Sequence, residues 1–592
     1  MHEKMQLDNF ENKESNINSD EVSKAEQSST EDACSGASSK ENTQERKKEI
    51  KELSQVVHEE IWGMLSEDEE STVNELAKET AKGKNVPLGN PFNMEELKNN
   101  NMIMFQAFEW HMEDTGDFYK KLVENAPRLS KMGVGGVWLP PCFKATGTND
   151  TGYGVYDLYD LGEFDQNGAV RTKYGTKEEL LSAIKALQKR HIQVYADVVL
   201  NHKASADETE VFRAVKVNQE DRTQQEGEPR DIEGWTRFTF PARNGKYSDF
   251  TWNFNHFTAV DKDERTGELG IFKILGENKG FSPNVSRERG NYDYLMFADV
   301  DCRNKDVIDE LLRWGEWFLK ETNVDGFRMD ALKHIDSNFL HVFLRHMRLS
   351  SDKPMYFVGE YWSNCKEELK EYVKKTQNVT ALFDVPLHFN FFQASNEGES
   401  YDLRHIFDNS LLALDPINTA TFVDNHDSQP GQSLESFVKP WFKPIAYALI
   451  LLRQDGYPCL FYGDYFGIGG ENPQGPMQDV LDPLLAARKY CAYGGQTDSF
   501  LEKNLIGFVR HGDKHHKNSG LAALMSNGAS GSMELDLGIQ HANKAMFDIT
   551  GNTKGKIVLN KDGKAAFPCP AGSLSVYVFE DAALPKRFRY KG

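Results

Sequence analysis

Eight short apolar runs with amphipathic stretches between them constrain the fold more than any other feature of the sequence. The runs are Met102–Phe108, Gly136–Leu139, Gln193–Leu200, Val324–Met329, Met355–Gly359, Ala381–Val385, Ala420–Val423 and Cys459–Tyr462. Each has the length and texture of a buried strand. Several intervals, among them Leu180–Lys189, Val307–Leu319 and Phe339–Met347, repeat apolar residues at the helical period. Eight strands joined by helical crossovers predict an α/β fold, a (β/α)8 TIM barrel.

The remaining segments read differently. Residues 203–300 form too long a third crossover and are rich in Gly, Asp, Asn and aromatics, so a β-rich subdomain inserted after the third strand is expected. After about Phe500 the helical periods stop. Leu505–Arg510, Ala522–Ser526, Ser532–Leu537, Lys556–Leu559 and Leu574–Phe579 alternate with Gly, Asn and Asp turns, the pattern of an antiparallel C-terminal β-domain. The expected division is therefore an acidic extension at 1–90, a barrel at 91–202 and 301–498, an insert at 203–300 and a β-sandwich at 499–592. The extension reads as a largely disordered tail. Between Glu45 and Lys82 it carries either a short amphipathic helix, which would dock on a protein partner or on the main body, or a solvated segment.

Charge and cysteine usage narrow the function. Against 69 Lys and Arg stand 91 Asp and Glu, a net charge of −22. Such a chain repels polyphosphate, and no basic patch offsets this, so nucleic acid is not an expected partner. The longest apolar run, near Ile445–Leu452, is too short to span a bilayer, so no membrane partner is expected either. Seven scattered cysteines without a CxxC pair suit reduced thiols. With no apolar signal segment after Met1, the expectation is a cytoplasmic monomer.

In a barrel of this type chemistry sits where the strands end. The third run closes on Asp197-Val198-Val199-Leu200-Asn201-His202 and the fourth on Arg328-Met329-Asp330-Ala331-Leu332-Lys333-His334. The fifth closes on Glu360-Tyr361-Trp362 and the seventh on Asp424-Asn425-His426-Asp427, while the second leads to Tyr153. A single strand-end Asp is often only a helix cap. Four such clusters in successive positions instead converge carboxylates, an Arg and two His on one mouth rimmed by aromatics. Paired carboxyls with aromatic platforms suit glycosidic cleavage, because one can attack the anomeric carbon while the other protonates the leaving oxygen.

These four clusters resemble the four conserved regions of the α-amylase family of retaining glycoside hydrolases. Gln106-Ala107-Phe108-Glu109-Trp110, Trp138-Leu139-Pro140-Pro141, Tyr153–Phe164 and Asn291–Asp299 resemble the liquefying bacterial members and their intracellular fungal relatives. The similarity spans roughly residues 101–580. It implies an endo-acting α-1,4-glucan hydrolase with Asp330 as nucleophile, Glu360 as general acid and base, and Asp427 as stabiliser of the distorted ring. Arg328 would keep Asp330 ionised. Tyr153 would stack beneath the sugar, His202 and His426 would hydrogen-bond it, Lys333 and His334 would face the leaving-group side, and Trp362 would be a further substrate-binding residue. One Ca²⁺ is implied, held by Asn201, Asp293, Asp299 and the His334 carbonyl, an oxygen-only set. The additional metal cluster of several bacterial members is not expected, since Thr258, Ser282 and Arg303 stand where its carboxylates would be, with only Asp301 kept. A transglycosylase using the same site, and a non-catalytic glycan-binding protein on the same fold, are the alternatives.

Overall fold

The computed structural model describes residues 101–590, so the expectations for the N-terminal extension lie outside the described residues. Eight parallel strands close into a barrel. They are β1 (Ile103–Gln106), β2 (Val134–Leu139), β3 (Gln193–Val198), β4 (Gly326–Met329), β5 (Tyr356–Gly359), β6 (Ala381–Phe383), β7 (Thr419–Phe422) and β8 (Tyr457–Phe461). All eight fall on the apolar runs. The helices follow in turn: α1 (Phe118–Met132), α2 (Lys177–Gln188), α3 (Lys305–Thr322), α4 (Ser337–Ser350), α5 (Lys366–Lys375), α6 (Val385–Glu397), α7 (Lys443–Leu452) and α8 (Gln478–Tyr490).

Local chemistry sets the helix ends. Thr176 and Glu179 form a reciprocal capping box on α2. Asp336 accepts the Asn338 and Phe339 amides at the start of α4. Gly133 ends α1 at φ 96°, a left-handed position that glycine adopts without strain. The strands alternate their faces. On β3 Val194, Ala196 and Val198 pack outward among the helices, whereas Tyr195 packs inside the barrel with Tyr356 and Tyr457. Gly136 makes this layer fit, because a Cβ there would lie 2.6 Å from both Tyr195 and Tyr457. The next inward residue of β3 is Asp197, in register with Arg328 on β4. A period-two rule thus carries two charged side chains to the interior at one height.

The insert contributes strands Glu208–Val217, Gln225–Arg237, Phe257–Asp263 and Glu268–Ile274 to a six-stranded sheet. Two short strands, His202–Lys203 and Ala298–Val300, tie that sheet to the end of β3. Lys203 is 3% exposed and donates to the Tyr156 carbonyl at 2.6 Å. The rings of Phe238, Phe240 and Trp252 surround its ammonium at 5.1–5.5 Å. Such a cage offsets part of the desolvation cost of a buried cation. Beside it Arg243 pairs with Asp157 at 2.8 Å, both buried.

The C-terminal region forms a six-stranded antiparallel sheet and a two-stranded one. The sequence reading missed its strands Gln496–Ser499, Ala545–Asp548 and Lys564–Cys569, which are short or contain polar and proline residues. Cys142, Cys302, Cys365, Cys459, Cys491 and Cys569 are free thiols. Among the described residues no helix is long and apolar enough to cross a membrane.

Candidate active site

The site is built around a buried guanidinium. Arg328 is 0% exposed. Its Nη1 lies 2.5 Å from Asp330 Oδ1 and 3.0 Å from Asp197 Oδ1, and its Nη2 lies 3.9 Å from Glu360 Oε2. The i, i+2 spacing of Arg328 and Asp330 turns both to one face, and the register with Asp197 supplies the third contact. Immediately after Asp330 the chain turns sharply. Ala331 sits at φ 53°, left-handed and uncommon for a residue with a Cβ. That turn aims the Ala331 amide at Glu360 Oε2, 2.9 Å away.

Aromatic rings wall the cluster. The Trp138 indole and the Tyr153 hydroxyl each donate to Asp197 Oδ2 at 2.9 Å. Tyr153, His426 and Trp110 lie nearly parallel, Tyr153 and His426 with ring centroids 5.1 Å apart. The Arg328 guanidinium lies over the Trp138 ring at 5.0 Å. Asp427 completes the set, with Oδ2 at 3.2 Å from His426 Nε2.

The acids differ in their readiness to ionise. Burial, together with the Asp330 charge, raises Glu360 against the opposing pull of Arg328. Burial and the neighbouring carboxylates of Glu360, Asp330 and Asp197 push Asp427 up to about 8. Burial raises Asp197 to about 6 although Arg328 opposes it. Four carboxyls lie around one guanidinium, so they cannot all ionise cheaply, and the largest rise falls on Asp427, which makes no direct contact with Arg328.

The histidines stay neutral. Burial lowers His426 well below the usual imidazole value, with Arg328 adding to the effect. The Gln106 amide nitrogen meets His426 Nδ1 at 3.0 Å, which leaves the ring proton on Nε2, facing Asp427. Burial also lowers His202, whose Nε2 donates to the Tyr153 carbonyl at 2.8 Å. His202 Nδ1 is then a buried acceptor with no partner among the described residues, a fit for a hydroxyl.

Asp330, Glu360, Asp427, Arg328, Tyr153, His202 and His426 therefore form one connected cluster. Lys333, His334 and Trp362 occupy its rim. Lys333 donates to the Trp362 carbonyl at 2.9 Å and to Glu288 of the insert. His334 Nδ1 meets the Tyr292 carbonyl at 2.7 Å. Trp362 is half-buried, with its ring against His388, Phe389 and Phe422. Asp384, at the end of β6, shows what the alternative reading of a strand-end Asp looks like: it accepts the Leu387, Leu411 and Leu412 amides and serves as a cap.

The sequence reading assigned no role to Asp197, Trp138, Trp110 or Gln106. Their signal was present, since all four stand at strand ends or just beyond them, within segments that resemble the family. Glu109 was passed over as well. It is 3% exposed, accepts from the His111 amide and the Gln429 side chain, and so joins the loop after β1 to the loop after β7.

Near the His334 rim, Asn201 Nδ2 lies 3.1 Å from Asp299 Oδ1, and Thr258 donates to the other oxygen of that carboxylate. Asp293 is 5% exposed, and its Oδ2 accepts no hydrogen bond from the described residues. Burial pushes both Asp293 and Asp299 well above the carboxylate range. Among the described residues no group of three or more His, Cys, Asp or Glu side chains is placed to hold a metal ion.

Residues 98–260 and 286–490 match the model of the α-amylase catalytic domain. The chain belongs to the α-amylase family. It is 48% identical over 478 residues to an α-amylase of Geobacillus stearothermophilus, covering 81% of this chain and 87% of that protein. It is 43% identical over 493 residues to the cytoplasmic α-amylase of Escherichia coli, covering 81% and 99%. The fold resembles the crystal structure of a Geobacillus thermoleovorans α-amylase complexed with acarbose, at a TM-score of 0.56 and 17% identity, covering 82% of this chain and 99% of that one.

Removing the guanidinium tests the electrostatic description. Arg328→Met is expected to cost about 3–5 kcal/mol of unfolding free energy near neutral pH, because it strands buried carboxylates. The folded-state pKa of Asp197 already lies above its unfolded value and would rise further. Stability contributed by such a proton is full at low pH and is lost as pH rises from about 4 through the folded pKa. The deficit should therefore shrink in urea unfolding at about pH 4.5, and an equal loss at both pH values would contradict the pairing.

Proposed function

We propose that the protein is an endo-acting α-amylase, cleaving α-1,4 linkages of starch, glycogen or malto-oligosaccharides with retention. The observation that carries this reading is the guanidinium shared by Asp330 and Glu360, since it brings two carboxyls to one wall of an aromatic-lined mouth. In the forward step Asp330, paired with Arg328, attacks the anomeric carbon. Glu360, whose proton affinity burial raises, donates to the departing oxygen. A covalent glycosyl-enzyme results, and Glu360, now a base, activates the water that releases it. Asp427 accepts sugar hydroxyls and steadies the oxocarbenium-like ring. Tyr153 packs under that ring, while His202 Nδ1 offers an acceptor and His426 Nε2 a donor. On the leaving-group side Lys333, His334 and Trp362 receive the released chain end.

The residues near His334 suit a calcium ion. Asp293, Asp299, the Asn201 amide oxygen and the His334 carbonyl are hard oxygen donors, and the unpartnered oxygen of Asp293 gives a cation something to bind. When bound, the ion would tie the insert to the end of β3. We infer a single ion, because the positions of a further cluster are engaged otherwise. Ser282 donates to Asp336 at 2.6 Å, Lys279 to Asp301 at 3.3 Å, and Arg303 to the Gly280 carbonyl. A cytoplasmic monomer, with the N-terminal extension open to a protein partner, remains our reading of location and assembly.

Asp330→Asn and Glu360→Gln are each expected to lower kcat on soluble starch by about 10³-fold or more, measured as reducing ends released. Wild-type rates in Asp330→Asn would sink the enzymatic reading. Chromatography of products from amylose and maltoheptaose separates the alternative, for which products longer than the substrate would show transfer to sugar rather than to water. Chelation by EDTA should lower Tm, since a ligand at 100 times its Kd adds about 2.7 kcal/mol to the folded state. Asp299→Asn should abolish the chelation shift, and a melting curve that ignores EDTA would argue against the ion.

A further inference from the structure

A second buried charge cluster lies at the end of β7, and no step above uses it. Asp424 and Lys443 are each 1% exposed and Asp464 is 3% exposed. Lys443 opens α7. Its Nζ lies 2.7 Å from Asp424 Oδ2 and also bonds Asp464, which follows β8. The Phe437 ring covers the ammonium at 3.6 Å, and the Tyr447 hydroxyl donates to Asp464 Oδ2 at 2.6 Å.

The remaining bonds of Asp424 run into the loop that carries Asp427. Its Oδ1 accepts the Ser428 hydroxyl at 2.8 Å and its Oδ2 the Val438 amide at 3.2 Å. The Ser428 hydroxyl accepts the Asn425 amide at 3.0 Å. Asn425 Oδ1 in turn accepts the amides of Asp427 and Ser428, both at 2.9 Å. An unbroken path of short contacts thus runs from Lys443 to the main chain of Asp427. Between β7 and α7 no helix or strand holds residues 423–442, so these contacts fix a long loop at both ends.

Energetics favour a positioning role over a stabilising one. Taking an ammonium and two carboxylates out of water is costly, and an apolar trio of similar volume is often no less stable. Their geometry, by contrast, is directional. A catalytic carboxyl displaced by about 1 Å can lose on the order of 10²-fold in rate. We propose that Lys443 is a positioning residue, which through Asp424, Ser428 and Asn425 sets the place of Asp427 in the mouth. This rests on the assignment of Asp427 to the reaction.

The test is a double-mutant cycle with Lys443→Met and Asp427→Asn, reading kcat and KM on maltoheptaose well below each Tm. Lys443→Met is expected to lower kcat about 30-fold with KM within about twofold, the split expected when a transition-state contact is displaced. In the double variant the combined loss should fall well short of the product of the single losses, because both act on one group. Losses that multiply, or a kcat of Lys443→Met within about twofold of wild type, would overturn the proposal. Wild-type kcat in Asp427→Asn would instead overturn the reading of the site. If Lys443→Met does not fold, Ser428→Ala takes its place, since it opens the path without stranding a charge. About a fivefold fall in kcat, again non-additive with Asp427→Asn, is then expected, and an unchanged kcat would count against the path.

Discussion

The pairing of one buried guanidinium with several carboxyls governs the rest of the site. Arg328 would be costly to bury alone, and so would Asp197 and Asp330. Together they are tolerated because Nη1 of Arg328 bonds both carboxyls at 2.5–3.2 Å. The balance is deliberately incomplete, since one positive charge faces Asp197, Asp330, Glu360 and Asp427. Excess acid in a buried place forces some carboxyls to keep their protons. A glycosidic mechanism of this kind needs one ionised acid and one protonated acid side by side, and the unequal charge count supplies both. Asp330 is in direct contact with the guanidinium. Glu360 sits farther off, at 3.9 Å, and retains the tendency to protonate.

The barrel was legible because its signals are local. Each strand is a short apolar run, and a period of two decides which residues face inward. That rule places Arg328 and Asp330, two residues apart, on one face. The cluster of carboxyls was legible for a related reason, since strand ends are where such a barrel exposes side chains. What the sequence did not disclose was pairing across strands. Asp197 matters because β3 and β4 are in a register that sets it opposite Arg328, and register is a property of two distant segments. Trp138 received no role for the same reason, because its indole becomes a donor only once Asp197 stands 2.9 Å away. Of the C-terminal strands, Gln496–Ser499 escaped because it carries no apolar side chain, Ala545–Asp548 because it is only four residues long, and Lys564–Cys569 because it contains a proline.

The insert shows how the fold connects a structural joint to the chemistry. His202 and Lys203 are neighbours at the point where β3 gives way to the insert. His202 holds the Tyr153 carbonyl and Lys203 the Tyr156 carbonyl. These two bonds fix the segment that presents Tyr153, and Tyr153 in turn donates to Asp197. Lys203 is also enclosed by three rings of the insert, so a shift of the insert would be transmitted to the stacking face. Burial lowers Lys203 to about 7, yet either protonation state can donate to a carbonyl, so this anchor survives its titration.

The acids of the mouth are therefore supported from two directions. Asp330 and Glu360 depend on Arg328 and on the strained turn at Ala331, elements adjacent in sequence or in register. Asp427 stands on a long loop with no strand beneath it, so local geometry cannot fix it. A loop of that length must be restrained by contacts at its own ends, and apolar packing is too forgiving in direction to place one carboxyl. Hydrogen bonds to a buried charge are directional and costly to break, which makes them suited to this task. The cost is a core that must desolvate Asp424, Lys443 and Asp464 together. This chain carries that cost immediately behind the one acid that lacks a strand to stand on.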